Sequence, residues 1–272
     1  MINFLHHFQP QRLAFDLGPI HVYWYGLILV SAMILGLITA IKLAKKNNID
    51  KEEVIDLAFW LIIFGIIGAR LYDVLLNLAY YLQHPFQILA IWQGGLAIHG
   101  GIIAGLITIA VWARKKNVWL WLAIITPAVA LGQAIGRFGN YFNQELFGKP
   151  TNLPWGIPID LVNRPNQYIS AEFFHPTFLY ESLGCALIFL ILLWLHRKKK
   201  NNSHQNQLIV LLYLCSYSLL RFVLEFWRID DTPLLGAWRW PQIISLTIIF
   251  VSIISYLILS RYENNQQSKK KI

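Results

Sequence analysis

Arg137 stands among groups that together could hold an anion. Gln133 precedes it, Asn140, Asn143 and Glu145 follow it, and Gly136, Gly139 and Gly148 punctuate the run. A guanidinium grips two phosphate oxygens through its planar fork, amides donate to hydroxyl or ester oxygens, and glycines leave backbone N–H groups open. Residues 136–148 therefore suit recognition of an anionic headgroup. Glycine and asparagine also cap helices and build turns, but a turn needs no arginine at the edge of an apolar run. Other ionisable groups lie within apolar sequence, where each costs several kcal/mol unless paired or wet. Arg221 and Glu225 are four residues apart and face one another on a helix; Arg70 and Asp73 are three apart, and a structural ion pair accounts for them. Glu181 is a further carboxylate in such a run. His99 sits among Gly94, Gly95, Gly100 and Gly101, with Gly105 beyond. Small residues there admit a close neighbour or a ligand, so His99 is either a base or a hydrogen-bonded core residue.

The elements that carry these residues are set by composition. The 272 residues are 56% hydrophobic and only 14% charged, with a mean hydropathy of +0.49. Seven apolar stretches, near 20–43, 54–76, 92–113, 119–136, 178–195, 208–226 and 240–259, are long enough as helices to cross a hydrocarbon core about 30 Å thick. The expectation is an all-α integral membrane protein with seven transmembrane helices. Fifteen of the 23 Lys and Arg residues cluster after the first, third, fifth and seventh stretches, at 42–51, 114–116, 197–200 and 261–271. Basic loops stay on the cytoplasmic side, so the amino terminus is expected outside (periplasmic) and the carboxyl terminus inside (cytoplasmic). Each basic cluster is then explained by topology, and a nucleic-acid partner is excluded as a reading of the +9 net charge. The same topology puts Arg137 and Arg221 toward the outer ends of the fourth and sixth spans, from which both could converge on one phosphate.

Between spans four and five, residues 139–177 carry Pro150, Pro154, Pro158, Pro165 and Pro176 among polar residues, which predicts an ordered, irregular external head. Residues 228–239 form a second external loop. No linker or repeat divides the chain, so residues 1–272 read as one domain. Residues 1–19 lack the apolar core and cleavage site of a signal peptide. Cys185 and Cys215 fall within spans and read as small buried apolar residues.

Residues 136–148 also resemble the signature of the prolipoprotein diacylglyceryl transferase family. Trp24-Tyr25-Gly26, Gly68-Ala69-Arg70, Gly94-Gly95 with His99-Gly100-Gly101, His175-Pro176-Thr177, Leu179-Tyr180-Glu181 and the run from Arg221 to Glu225 resemble other motifs of that family in the same order. One departure is Pro241-Gln242 followed by Ser245, where the family often has Gly before the Gln. The resemblance implies an inner-membrane enzyme that moves diacylglyceryl from phosphatidylglycerol to the lipobox cysteine of a prolipoprotein signal peptide, without ATP, metal or other cofactor. It implies that Arg137 and Arg221 hold the phosphate and that His99 is required near the reacting carbon. Tyr25, Asn140, Glu145, Gly148 and Glu225 would complete the pocket. Without the resemblance, a small transporter is the competing reading, because intramembrane charges also mark ion paths. The crowding of the charges toward one interface and the absence of an inverted repeat in the sequence weigh against it.

Overall fold

The computed structural model describes residues 2–198 and 203–269; Lys199, Lys200, Lys270 and Lys271 of the basic clusters lie outside the described residues. In chain order the helices are α1 (Ile2–His7), α2 (Trp24–Lys45), α3 (Lys51–Leu76), α4 (Leu78–Gln83), α5 (Ile98–Trp112), α6 (Val118–Phe142), α7 (Thr177–Arg197), α8 (Ser203–Leu224) and α9 (Trp240–Lys269). Among the described residues six of these, α2, α3, α6, α7, α8 and α9, are long and apolar enough to cross a membrane. Phe59, Ile62, Leu183, Leu190 and Phe250 stay exposed along them, as expected where lipid is the solvent. The fold is that of a helical integral membrane protein. Local chemistry sets several ends: Glu52 and Glu53 oppose the dipole at the start of α3, and α7 begins directly after Pro176.

The third apolar stretch departs from expectation. Residues 92–113 do not form one helix: a 3-10 turn at Ile91–Gln93 is followed by a break, and α5 has only 15 residues. Gly94 (φ 94°) and Gly95 (φ 72°) adopt backbone conformations that L side chains rarely take, so the break falls where glycine permits it. The first span also starts later than expected, at Trp24, because Ile20–Tyr23 is a strand.

The chain divides into two compact units, residues 40–124 and residues 1–39 with 125–272. In the first, α3 and α5 meet backbone to backbone. A Cβ on Gly100 would stand 2.1 Å from the Gly68 carbonyl oxygen, and one on Gly68 would stand 2.4 Å from the Ala104 Cβ. This is the close approach that small residues allow between helices in lipid. Buried Arg70 then ties down the segment before α5. Its Nε donates to the Ile88 carbonyl at 2.9 Å, Nη1 to Gly94 and Gly95 at 2.7 and 2.9 Å, and Nη2 to the Gln87 carbonyl. The expected partner, Asp73, is 3.8 Å away and accepts instead from the Tyr81 hydroxyl at 2.8 Å. Arg70 is structural, as expected, but through carbonyls that would otherwise lack donors.

Gly95→Ala is expected to destabilise the protein by about 1–3 kcal/mol, because the left-handed backbone is strained and the added methyl intrudes on the Arg70 guanidinium. Thermal unfolding in detergent measures the loss. Hydrogen exchange should show faster opening of residues 84–97 before the rest of that unit, and uniform protection would refute the clamp.

The other unit contains three short antiparallel pairs: β1 (Leu13–Leu17) with β2 (Ile20–Tyr23), β3 (Ile157–Pro158) with β4 (Phe173–Phe174), and β5 (Leu234–Leu235) with β6 (Trp238–Arg239). Residues between α6 and α7 have their own core, in which Phe147, Ile157, Ile159 and Phe174 pack on Tyr141 and Phe178 from the flanking helices. Gln144 holds this segment to the amino-terminal region. Its amide donates to the Pro10 carbonyl and to Asp160, and accepts from the Asp160 N–H and from Asn163. Those bonds oppose the strain of its left-handed backbone, φ 52°.

Candidate active site

Within the larger unit the arginines expected to meet do meet, around a carboxylate. Glu181, in the first turns of α7, is 1% exposed. Arg137, near the end of α6, donates Nη2 to Glu181 Oε1 at 2.5 Å, and the Tyr217 hydroxyl of α8 donates to the same oxygen at 3.0 Å. Arg221 Nη1 lies 3.9 Å from Glu181 Oε2, and Arg228 Nη1 lies 3.8 Å from it. Burying a carboxylate this deeply requires compensating cations, and α6, α8 and the segment just after α8 supply them.

A second buried carboxylate extends the cluster. Glu225, just past the end of α8, has Arg221 Nη2 3.0 Å from its Oε2 and accepts Arg239 Nε on Oε1 at 2.8 Å. Arg228 Nε donates to Asp230 at 2.8 Å, and Arg239 also caps the carbonyls of Arg228 and Asp230. Burial opposes ionisation of Asp230, but the hydrogen bond and charge of Arg228 outweigh it and hold the carboxyl below its ordinary value.

The amides join this cluster to the segment that follows α6. Arg137 Nη1 donates to Asn140 at 3.2 Å, and Asn140 donates to Glu145 at 2.7 Å. Glu145, eight residues after Arg137, therefore reaches it through Asn140, while Glu181 holds the guanidinium directly. Gly148 donates its N–H to the His175 carbonyl and bridges to Arg228. The Tyr25 ring packs against Gly139, where a methyl would come within 2.7 Å of it. Tyr25 and Asn143 border a cavity of about 680 Å³, and Asn143, Glu145 and Asp230 border another of about 400 Å³. His99 belongs to the other unit, exposed in the first turn of α5 with the Tyr72 ring 6.0 Å away. Its exposure is not that of a core histidine.

Residues 12–258 match the prolipoprotein diacylglyceryl transferase family. The chain belongs to that family. Relatives named phosphatidylglycerol–prolipoprotein diacylglyceryl transferase include one from Synechococcus elongatus, 41% identical over 90% of this chain and 86% of its own length. Another, from Nostoc sp., is 42% identical over 90% and 88%, and one from Finegoldia magna is 43% identical over 89% and 93%.

In this member of the diacylglyceryl transferase family the cluster is larger than the sequence reading expected. Arg228, Asp230 and Arg239 lie in the stretch that the sequence places in an external loop, Glu181 is legible there only as a costly carboxylate with no named partner, and Tyr217 carries no signal. Arg228 had a signal: it follows Arg221 by seven and Glu225 by three, the spacing of one helical face. Arg239 had none, since it arrives only because the β5–β6 hairpin folds back at Gly236, φ 62°.

His175, preceding α7, hydrogen-bonds the Tyr180 hydroxyl at 3.2 Å, and burial together with the Lys149 charge lowers its pKa. The unfolded chain, with an ordinary histidine near pKa 6.5, then binds more protons than the folded one in the interval below about pH 6.5. Stability is therefore expected to fall as pH drops through that interval. His175→Gln should flatten this part of a melting-temperature profile between pH 5 and 8; an unchanged slope would remove His175 as the cause.

Proposed function

We propose that this chain transfers the diacylglyceryl group of phosphatidylglycerol to the lipobox cysteine thiol of prolipoproteins, the first step of bacterial lipoprotein maturation. The observation that carries the proposal is the convergence of Arg137 and Arg221 on one buried carboxylate cluster, in a chain whose family acts under that name. The cysteine sulfur attacks the carbon of the diacylated glycerol that bears the phosphate ester oxygen, a carbon–sulfur bond forms, and that carbon–oxygen bond breaks. Glycerol phosphate leaves with the bonding pair. As that bond breaks the leaving phosphate gains negative charge, which preorganised arginines in a poorly hydrated site stabilise. A cysteine thiol is mostly protonated at pH 7, so a base accelerates the attack. His99 takes that proton in this scheme, and Tyr25, Asn140, Glu145, Gly148 and Glu225 shape the pocket.

The enzyme acts as one domain over residues 1–272 in the bacterial inner membrane, crossing it seven times with its amino terminus periplasmic and its carboxyl terminus cytoplasmic. Alternation of the basic loops supports this arrangement. The 15-residue α5 counts as a crossing, and residues 139–177 form a periplasmic head. His99, Arg137 and Arg221 then all lie toward the periplasmic face.

The test is transfer by purified protein in detergent, with a lipobox peptide as acceptor and phosphatidylglycerol or phosphatidylethanolamine as donor. A diacylglyceryl mass gain with the first lipid and release of glycerol phosphate is expected. No transfer by folded protein with sufficient lipid overturns the proposal in favour of a transporter. His99→Gln is expected to slow turnover about a hundredfold or more; normal turnover would assign the proton elsewhere.

A further inference from the structure

Four guanidiniums, of Arg137, Arg221, Arg228 and Arg239, face three carboxylates, of Glu181, Glu225 and Asp230. Glu145 is exposed and reaches Arg137 only through Asn140, and Asp231 is exposed, so neither belongs to the buried ion pairs counted here. The buried ion pairs thus carry one unbalanced positive charge, and Arg221 is the most loosely held of the four, with Glu181 Oε2 3.9 Å from its Nη1. Arg221 Nη1 is buried without a hydrogen-bond partner among the described residues. Its Nη2 has Glu225 alongside at 3.0 Å, but Glu225 is shared, because Arg239 holds the other oxygen at 2.8 Å.

We infer that Arg239 and Asp230 are specificity-determining residues that set the net charge of the headgroup site, matching it to a singly charged phosphodiester. The inference rests on the transfer reaction proposed above. Arg239 contributes a cation and shares Glu225 with Arg221, one arginine on each carboxylate oxygen, so Glu225 does not compensate Arg221 alone. Asp230 keeps the excess from rising further by neutralising Arg228. A phosphodiester carries one negative charge and balances such a site. The released glycerol phosphate is a phosphomonoester with close to two charges above pH 7, which the site leaves partly uncompensated. The arginines meet the partial charge of the breaking bond, but the full second charge of the freed product is left unpaired, which is costly in a poorly hydrated site, so the substrate is held and the product let go.

The test is inhibition of transfer by added glycerol phosphate at pH 8 and fixed ionic strength, comparing the native chain with Asp230→Asn, Arg239→Gln and Arg239→Lys. Asp230→Asn, with one more positive charge, is expected to bind the product at least about fivefold more tightly, and Arg239→Gln at least about fivefold more weakly. Arg239→Gln should also raise KM for phosphatidylglycerol, while Arg239→Lys, of unchanged charge, stays near native in inhibition. A merely structural role weakens binding in both charge variants, and that result would overturn the inference. If Arg239→Gln does not fold, Asp230→Asn decides alone: tighter inhibition supports the inference, unchanged or weaker inhibition refutes it. Native activity reports separately on the reaction, so failure of the proposed function is seen first and is not confused with failure here.

Discussion

Alanine at position 137 is expected to lower kcat for diacylglyceryl transfer by about a hundredfold to a thousandfold, the loss typical of one donor to a developing oxyanion. Arg137 combines three properties suited to this role. Its Nη2 is fixed by Glu181 at 2.5 Å, its Nη1 by Asn140 at 3.2 Å, and its side chain is still 20% exposed, leaving part of the fork open to a ligand. Fixing the guanidinium in advance means that little reorganisation accompanies charge development on the leaving phosphate. Arg137→Lys should not restore the rate, because one ammonium cannot keep two protein partners and also span two phosphate oxygens. Single-turnover measurements with saturating phosphatidylglycerol separate the chemical step from binding. A fall confined to KM, with kcat intact, would make Arg137 a binding residue only.

Glu181→Leu is expected to destabilise the folded chain by about 3–5 kcal/mol, the cost of leaving buried charges without their counterion. The side chain is 1% exposed, with Arg137, Arg221 and Arg228 all within 3.9 Å, and Tyr217 would lose its acceptor. Unfolding in a graded denaturing detergent measures the loss. Asp230→Asn is the control: its side chain is 27% exposed and touches two arginines near the edge of the cluster, so it should cost less than about 1 kcal/mol. Equal losses in the two variants would mean that burial does not grade the cluster.

Much of this architecture was legible because lipid leaves sequence few options. Apolar length alone located the six long helices, and four-residue spacing located Arg221 beside Glu225. Gly100 was read as a close-packing residue and serves as one against Gly68. Gly94 and Gly95 were read in the same way, yet they supply left-handed turns, and composition does not separate the two uses of glycine. The central place of Glu181 was open to a charge argument, since a carboxylate in an apolar helix demands a cation from elsewhere. Which cations answer it depends on how α6, α7 and α8 rotate, and that follows from packing across sequence separations of 40 residues and more. Arg239 lay further out of reach, because a two-residue strand after a turn carries almost no periodic signal.

The shortness of α5 bears on how such a protein sits in bilayers of different thickness. Fifteen residues rise about 22 Å, some 8 Å less than an average hydrocarbon core. Neighbouring lipids can compress to meet a short helix at a modest energetic penalty per ångström, or the chain can supply the missing length itself. If α5 crosses the bilayer as proposed, residues 84–97 would do the latter, with Arg70 giving donors to carbonyls of Gln87, Ile88, Gly94 and Gly95 that hydrocarbon could not satisfy. The segment then works as a spacer with a fixed anchor. Tolerance of thick, long-chain membranes should reside in one guanidinium beneath a short irregular stretch, and not in the hydrophobic length of the helix it completes.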